Sequence, residues 1–339
     1  MKHLLPPVTY YKANLHTHST VSDGKLTPEE LREEYKARGY SIVAFTDHSV
    51  IVPHQYLNQE DFLSLTGCEI DINDIDAPDG DVRDRQRHLC LLAKEPQNNW
   101  LPFRDPNPIP VSVQYEKDNV FEEMSREYSH TNINAVLAKC NEKGYLVTYN
   151  HPMWSLENFS DYGPMEGLWG VEYRNSGCIA SGHDENNSQV YQDFAMQGKR
   201  MMPVCADDIH RPVHPNGFQV LGNSWNMIGA EKLDYPSVIA AMERGDLYAS
   251  CGPEITALTW ENNKLVVRCS SAARIQVVTN FRWVKLAIAT EAPLTECTFP
   301  MNGWYNKAKD NGGGFFRVIV TAADGSYAVT RAYWFDELA

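Results

Sequence analysis

In His16-Thr17-His18 two imidazoles stand two residues apart at the end of a strand-like run, and an extended backbone turns both to the same side. Two neutral imidazoles on one side are a natural ligand pair for a divalent ion. An isolated HxH arises by chance, so its significance depends on the rest of the chain. Downstream come Ser22-Asp23-Gly24, then Thr46-Asp47-His48 directly after an apolar strand, then Gly67-Cys68-Glu69 after the apolar run from Phe62 to Thr66. His88 heads Leu89 to Ala93, Asn150-His151-Pro152 follows another strand, and Asp207-Asp208-Ile209-His210 follows one more. All but His88 lie at strand ends, where a parallel barrel assembles its active site. His88 precedes its strand, which predicts either a strand running against the others or a distorted barrel.

The elements that must hold these groups alternate in type. Up to residue 252, short apolar runs alternate with helix-like segments, the pattern of an α/β domain with a mostly parallel sheet. Thr27 is an N-cap candidate, Pro28 suits the first helical position, and Gly39 marks the far end before the strand Ser41 to Thr46. Helices are also expected over Asn132 to Lys143 and Gln189 to Gly198, with strands over Tyr145 to Tyr149 and Met201 to Ala206. Two stretches interrupt the rhythm and read as loops: the aspartate-rich Asp71 to Asp84, an acidic run of the kind usually solvated, and the proline-rich Glu95 to Val111 followed by a polar segment to Ser129. Long insertions beside barrel strands are where lids and specificity loops sit. After Cys251-Gly252-Pro253 the chain turns to short alternating runs separated by Asn262-Asn263 and Asp324-Gly325, without a long helical pattern and without a histidine. That predicts a small C-terminal all-β sandwich, dividing the chain into 1–252 and 253–339.

A formal net charge of −14 argues against a duplex nucleic-acid partner, which requires clustered Lys and Arg. A small anionic substrate is still allowed, because bound metal ions invert the local field. No stretch approaches the roughly 20 apolar residues of a membrane span. The start, Met1 to Pro7, has two leucines before a proline pair, too short for a secretory core, so a cytoplasmic protein is expected unless a leader has been removed. The eight cysteines form no CxxC pair and read as reduced core thiols.

The ordered set HTH, SDG, TDH, CE, HLCLLA, NHP and DDIH resembles the PHP (polymerase and histidinol phosphatase) superfamily over roughly residues 8 to 252, in its metal-dependent phosphoesterase branch with an SDG motif. The resemblance implies a distorted seven-stranded β/α barrel with two or three divalent ions, usually manganese, iron or zinc, at its open end. Carried over position by position, it implies one ion on His16, His18, Glu69 and Asp208. A second falls to Glu69, His88 and His151 with Glu69 bridging, and a third to Asp23, His48 and His210. Asp23 stands where several relatives carry a histidine, and Asp207 adds a carboxylate beside a ligand, either as an acceptor orienting a ligand histidine or as a structural group.

Such a pocket suits hydrolysis of a small phosphomonoester or phosphodiester. Metals neutralise phosphoryl oxygens and bring bound water from a pKa of about 15.7 to about 7, worth about 12 kcal/mol, so the expected nucleophile is a metal-bridging water. Glu69 and Asp208 are the expected catalytic carboxylates. Arg174, after a probable strand, is a candidate phosphate clamp or else a structural ion-pair partner. Lys25 is a candidate substrate contact, and Trp154 and Tyr149 flank His151 as pocket or packing residues. His54, His183 and His214 read as surface histidines, with His214 near enough to His210 to border the mouth. Two other readings stand beside the phosphoesterase: a metal-stabilised accessory module without catalysis, and a metal-dependent amide or ester hydrolase.

Overall fold

A computed structural model describes residues 1–74, 84–310 and 313–338. The chain up to residue 206 builds strands β1 (Thr9–Asn14), β2 (Ile42–Phe45), β3 (Leu63–Asn73), β4 (Gln86–Ala93), β5 (Tyr145–Tyr149), β6 (Gly170–Asn175) and β7 (Met202–Ala206). They are hydrogen-bonded in chain order. β1, β2 and β3 run parallel, as do β5, β6 and β7, whereas β4 is antiparallel to both β3 and β5. The first alternative for His88 therefore holds: its strand runs against the others. Helix α1 (Pro28–Lys36) begins as expected, with Thr27 and Glu30 forming a reciprocal capping box and Pro28 in the first turn. Helices α2 (His130–Glu142), α3 (Ser188–Met196) and α4 (Tyr235–Arg244) each precede a strand and bury one apolar side against the sheet.

No backbone ladder joins β7 back to β1 among the described residues, so the sheet is not a closed barrel. Its seam is spanned instead by side chains and one bridge. Asn226 accepts from the Cys205 N–H at 3.1 Å and donates to the Cys205 carbonyl at 2.9 Å. Asn14 accepts from the Asp207 N–H, and Thr17 pairs in parallel with Ile209. Beyond β1 the same sheet continues antiparallel through β8 (Trp225–Ala230) and β9 (Leu247–Ser250).

Past residue 252 come β10 (Ile255–Glu261), β11 (Lys264–Ala272), β12 (Arg274–Thr279), β13 (Lys285–Ile288), β14 (Leu294–Pro300), β15 (Phe315–Thr321) and β16 (Tyr327–Thr330). β16 pairs with β9, so the large sheet runs on through β15, β12 and β13. A second sheet joins β10, β11 and β14 with the N-terminal residues Lys2–His3. Leu258, Leu265, Val277, Phe316 and Val318 fill the space between. One expectation fails here, since helix α5 (Asn302–Asp310) interrupts the strands. It is short and polar but for Trp304, Tyr305 and Ala308, which pack inward one turn apart, too few to register as a helical period.

The acidic run is also not all loop. Asp71 to Asn73 extend β3, because Ile70 and Ile72 are fully buried on one face while Glu69 and Asp71 are turned to the other. Positions 75–83 of that run lie outside the described residues. Between Glu95 and Ser129 the chain is largely irregular, with Trp100–Leu101 and Val120–Phe121 paired.

Candidate metal centre

His16 and His18 leave the end of β1 still extended, and both imidazoles enter a buried cluster with Nε2 atoms 3.0 Å apart. Thr17, between them, faces the other way. Its N–H donates to Thr46 Oγ1, and its backbone pairs with Ile209. Glu69 occupies the middle of β3 and is 1% exposed. In the antiparallel register of β3 and β4, Asp71 stands opposite His88 and Glu69 opposite Cys90, so all four share one face. The diagonal brings His88 Nδ1 to 3.2 Å from Glu69. His16, His18, His48 and His151 also approach the Glu69 carboxylate, at 3.2–3.4 Å. Asp208 Oδ1 lies 3.3 Å from His16 Nε2 and 3.1 Å from His18 Nε2. Asp23, His48 and His210 are more exposed, with His210 Nε2 3.4 Å and His48 Nε2 3.9 Å from Asp23.

The donor atoms fall into three overlapping groups: His16, His18 and Glu69; His48, Glu69 and His88; and His18, Asp23, His48 and His210. His48 thus stands between Glu69 and Asp23, and His18 faces both. Every histidine, aspartate and glutamate carried over from the family pattern enters this cluster.

Local backbone is bent to present these groups. His151 and Asp208 sit at φ +26° and +49°, left-handed values that cost on the order of 1–3 kcal/mol each in non-glycine residues. Asp47 accepts the N–H and hydroxyl of both Ser19 and Ser22, at 2.7–3.1 Å, and so pins the turn that carries Asp23. Gly24 closes that turn, where a Cβ would stand 2.3 Å from the His18 carbonyl oxygen.

Burial opposes charge on His18 and His151, yet the adjoining carboxylates outweigh it and raise them to about 10 and about 9. On His48 burial wins, aided by His18, and lowers it to about 3. Burial also opposes the charge of Glu69 and Asp208, but the imidazoles around them hold both well below the usual carboxylate range. His18 Nδ1 and Asp208 Oδ1 are buried without a hydrogen-bond partner. Buried polar atoms left unpartnered at the meeting point of two anionic carboxylates and convergent imidazoles fit divalent cations.

Three contributors escaped the sequence reading. Glu172 accepts from His16 Nδ1–H at 2.7 Å, which leaves Nε2 facing the cluster, and from the His151 N–H at 2.8 Å. Asn150 donates to Glu69 at 2.7 Å, and Asn175 donates to both Glu172 and Asp208. Glu172 was legible only as a polar residue in an apolar strand two positions before Arg174. Period-two alternation places both on one face, but a bulge sets Tyr173 and Arg174 together opposite Cys205 and reverses the alternation. Arg174 consequently leaves this cavity and bonds Ser224, Asn186 and Asn223 elsewhere.

The cavity over the cluster, about 470 Å³, is instead bordered by Arg211, with Trp154 and His214. Trp154 packs against the rings of His88 and His151, whereas Tyr149 turns away to Glu157. A smaller cavity beside Asp23 and His48 is lined by Asp71, Asp105, Asn107 and Arg126, so the proline-rich insertion does border the site. Lys25 lines neither. Asp207 touches no candidate ligand side chain: it accepts from the N–H groups of Gly222, Asn223 and Ser224 and from Tyr35, which is the structural role. His54 is buried edge-on against Phe45, not on the surface, because the segment carrying it packs back onto β3.

In comparison with known proteins, the PHP domain family model matches residues 14–136. Those residues belong to a PHP domain. Within it lie His16, His18, Asp23, His48, Glu69 and His88, while His151, Asp208 and His210 come from the chain after it. No curated protein matches the chain. Among solved structures it is similar to a two-domain protein from Bacteroides vulgatus ATCC 8482 containing a predicted PHP-like metal-dependent phosphoesterase. That likeness is 13% identical, covers 98% of each chain and has a TM-score of 0.43. An amidohydrolase from Chromobacterium violaceum, with bound sulfate and no metal, is 15% identical over 59% of this chain and 88% of its own, with a TM-score of 0.35. No described helix is long and apolar enough to cross a membrane.

Proposed function

We propose that the protein is a metal-dependent phosphoesterase of the SDG-motif PHP branch, acting on a small phosphomonoester or phosphodiester with two or three divalent ions. The observation that carries this reading is the convergence of five imidazoles on Glu69 within 3.4 Å, with Asp208 Oδ1 buried and unpartnered beside them. His16, His18, Glu69 and Asp208 would hold one ion, Glu69, His88 and His151 a second, and Asp23, His48 and His210 a third. Manganese, iron and zinc all suit mixed imidazole and carboxylate ligands. When bound, such ions supply a polarised water at neutral pH and neutralise charge on the phosphoryl oxygens.

The protein's own groups do the rest. Glu172 holds His16 and the His151 backbone in place, Asn150 and Asn175 orient the two carboxylates, and Trp154 walls one side against water. Arg211, at the mouth, attracts an anionic substrate in a protein of net charge −14. In this reading strands β1 to β7 act as the distorted seven-stranded barrel, residues 1–252 form the hydrolase unit, and 253–339 form an accessory β-domain. The eight free cysteines favour a reducing, cytoplasmic setting.

The test is metal analysis of the purified protein together with turnover of p-nitrophenyl phosphate and bis-p-nitrophenyl phosphate, with and without manganese. Two to three ions per chain and metal-dependent nitrophenol release are expected. Bound metal without turnover would move the reading to amide hydrolysis or a binding role, and no metal after reconstitution would overturn it.

A further inference from the structure

A second cavity, of about 1030 Å³, opens where β6 meets β12 and β15, and shares no lining residue with the histidine cavity. Three arginines line it, Arg174, Arg274 and Arg317, against one acid, Asp324. Asp324 is engaged locally, accepting the N–H and hydroxyl of Ser326. Arg317 is 2% exposed, yet its partners are all neutral: Tyr173 Oη at 2.8 Å, Ser188 Oγ at 3.1 Å and the ring faces of Tyr173 and Tyr191, with Nε unpartnered. Arg174 likewise bonds only neutral groups. Among the described residues none of the three forms an ion pair with a carboxylate.

A buried guanidinium without a counter-charge is costly, and a cleft walled by one sign of charge concentrates its field on whatever enters. Two further atoms in the same lining narrow the occupant. Thr321 Oγ1 and Gln192 Oε1 are buried and unpartnered. Gln192 Nε2 donates to the Thr279 carbonyl at 3.3 Å, which fixes its amide so that Oε1 is the atom left over. Arginine requires acceptors, whereas a carboxamide oxygen requires a donor. A molecule that satisfies both carries an anionic group and hydroxyls.

We propose that this cavity binds a small phosphorylated, hydroxyl-bearing molecule at a site independent of the metal centre. Guanidinium forks match phosphate oxygens bidentately, and the amide and hydroxyl side of the lining suits a sugar-like body. The test is calorimetric titration of the full-length protein with glucose 6-phosphate, inorganic pyrophosphate and citrate. Wild type and Asp208→Asn are titrated side by side, so that binding at the histidine centre is told apart. Saturable binding of glucose 6-phosphate is expected in both, weaker binding of pyrophosphate, and weakest binding of citrate. Arg274→Ala, at an exposed position, and the isosteric Thr321→Val keep the fold testable. Arg274→Ala should weaken glucose 6-phosphate by about tenfold, the loss of one charge-assisted contact, and Thr321→Val by a smaller factor. No saturable binding by any probe overturns the proposal. So does binding that disappears in Asp208→Asn and is unchanged in Arg274→Ala. Citrate binding as well as glucose 6-phosphate overturns the phosphate assignment.

Discussion

Strand β6 supplies two cavities with opposite chemistry. Glu172 turns toward the histidines and anchors His16, while its neighbours Tyr173 and Arg174 turn toward the arginine-lined cavity. The single extra residue of the bulge at Tyr173 separates them. On one side, buried carboxylates gather imidazoles around them, and on the other, a buried guanidinium bonds only neutral groups. The pair shows that the charge of a cavity is set by where the backbone aims a few side chains, since both lie in one acidic chain. Glu185 stands between the two, accepting from the Trp154 N–H on the histidine side and from Asn187, next to Asn186 of the arginine side.

The hardest way to break this contrast is Glu69→Gln, which removes the charge that five imidazoles share. Loss of bound metal and a fall in nitrophenyl phosphate turnover on the order of 10³-fold are expected, and unchanged metal content with unchanged rate would sink the assignment of the centre. Glu172→Gln keeps the shape but weakens the hold on His16. Metal affinity should drop roughly 10- to 100-fold by competition with a chelator, and an unaltered affinity would mean that Glu172 only fills space.

Glu185 sharpens the boundary between the cavities. Burial raises its carboxyl from 4.5 to about 7, so the folded protein keeps a proton that the unfolded chain has already released. The contribution of Glu185 to stability is therefore present at low pH and is lost as pH rises from about 4.5 through about 7, by up to about 3 kcal/mol. Urea midpoints at pH 5 and pH 8 should fall less in Glu185→Gln than in the wild type, and parallel falls would remove Glu185 from the account. The smallest effect is expected at the mouth. Arg211→Ala should raise KM several-fold for an anionic substrate with little change in kcat, and more so at low salt. A KM indifferent to both the substitution and salt would exclude steering by Arg211.

The ligand types were legible because each stands at a strand end or in a strand whose apolar partners mark the fold. His16 and His18 needed only extended backbone between them, whereas Glu69, expected just past a strand ending at Thr66, stands in the middle of β3 because that strand runs on to Asn73. The direction of β4 was half legible in the position of His88 before its apolar run. Glu172 was hidden because period-two alternation holds only while the ladder is regular, and nothing in Val171 to Asn175 announces the extra residue. The same slip sent Arg174 to the wrong cavity in the sequence reading. The seam between β1 and β7 was equally silent, because the Asn226 and Asn14 amides replace ladder bonds across more than 190 residues of chain in the case of Asn14 and Asp207.

By itself, the sequence determined which donor groups exist and which strands deliver them, since residue type and short-range periodicity are local properties. Tertiary structure alone decided that those donors meet around Glu69, that Glu172 and not Asp207 braces them, and that three arginines share a separate cavity. Those outcomes depend on the register between distant strands, where one inserted residue reverses the face that every following side chain presents.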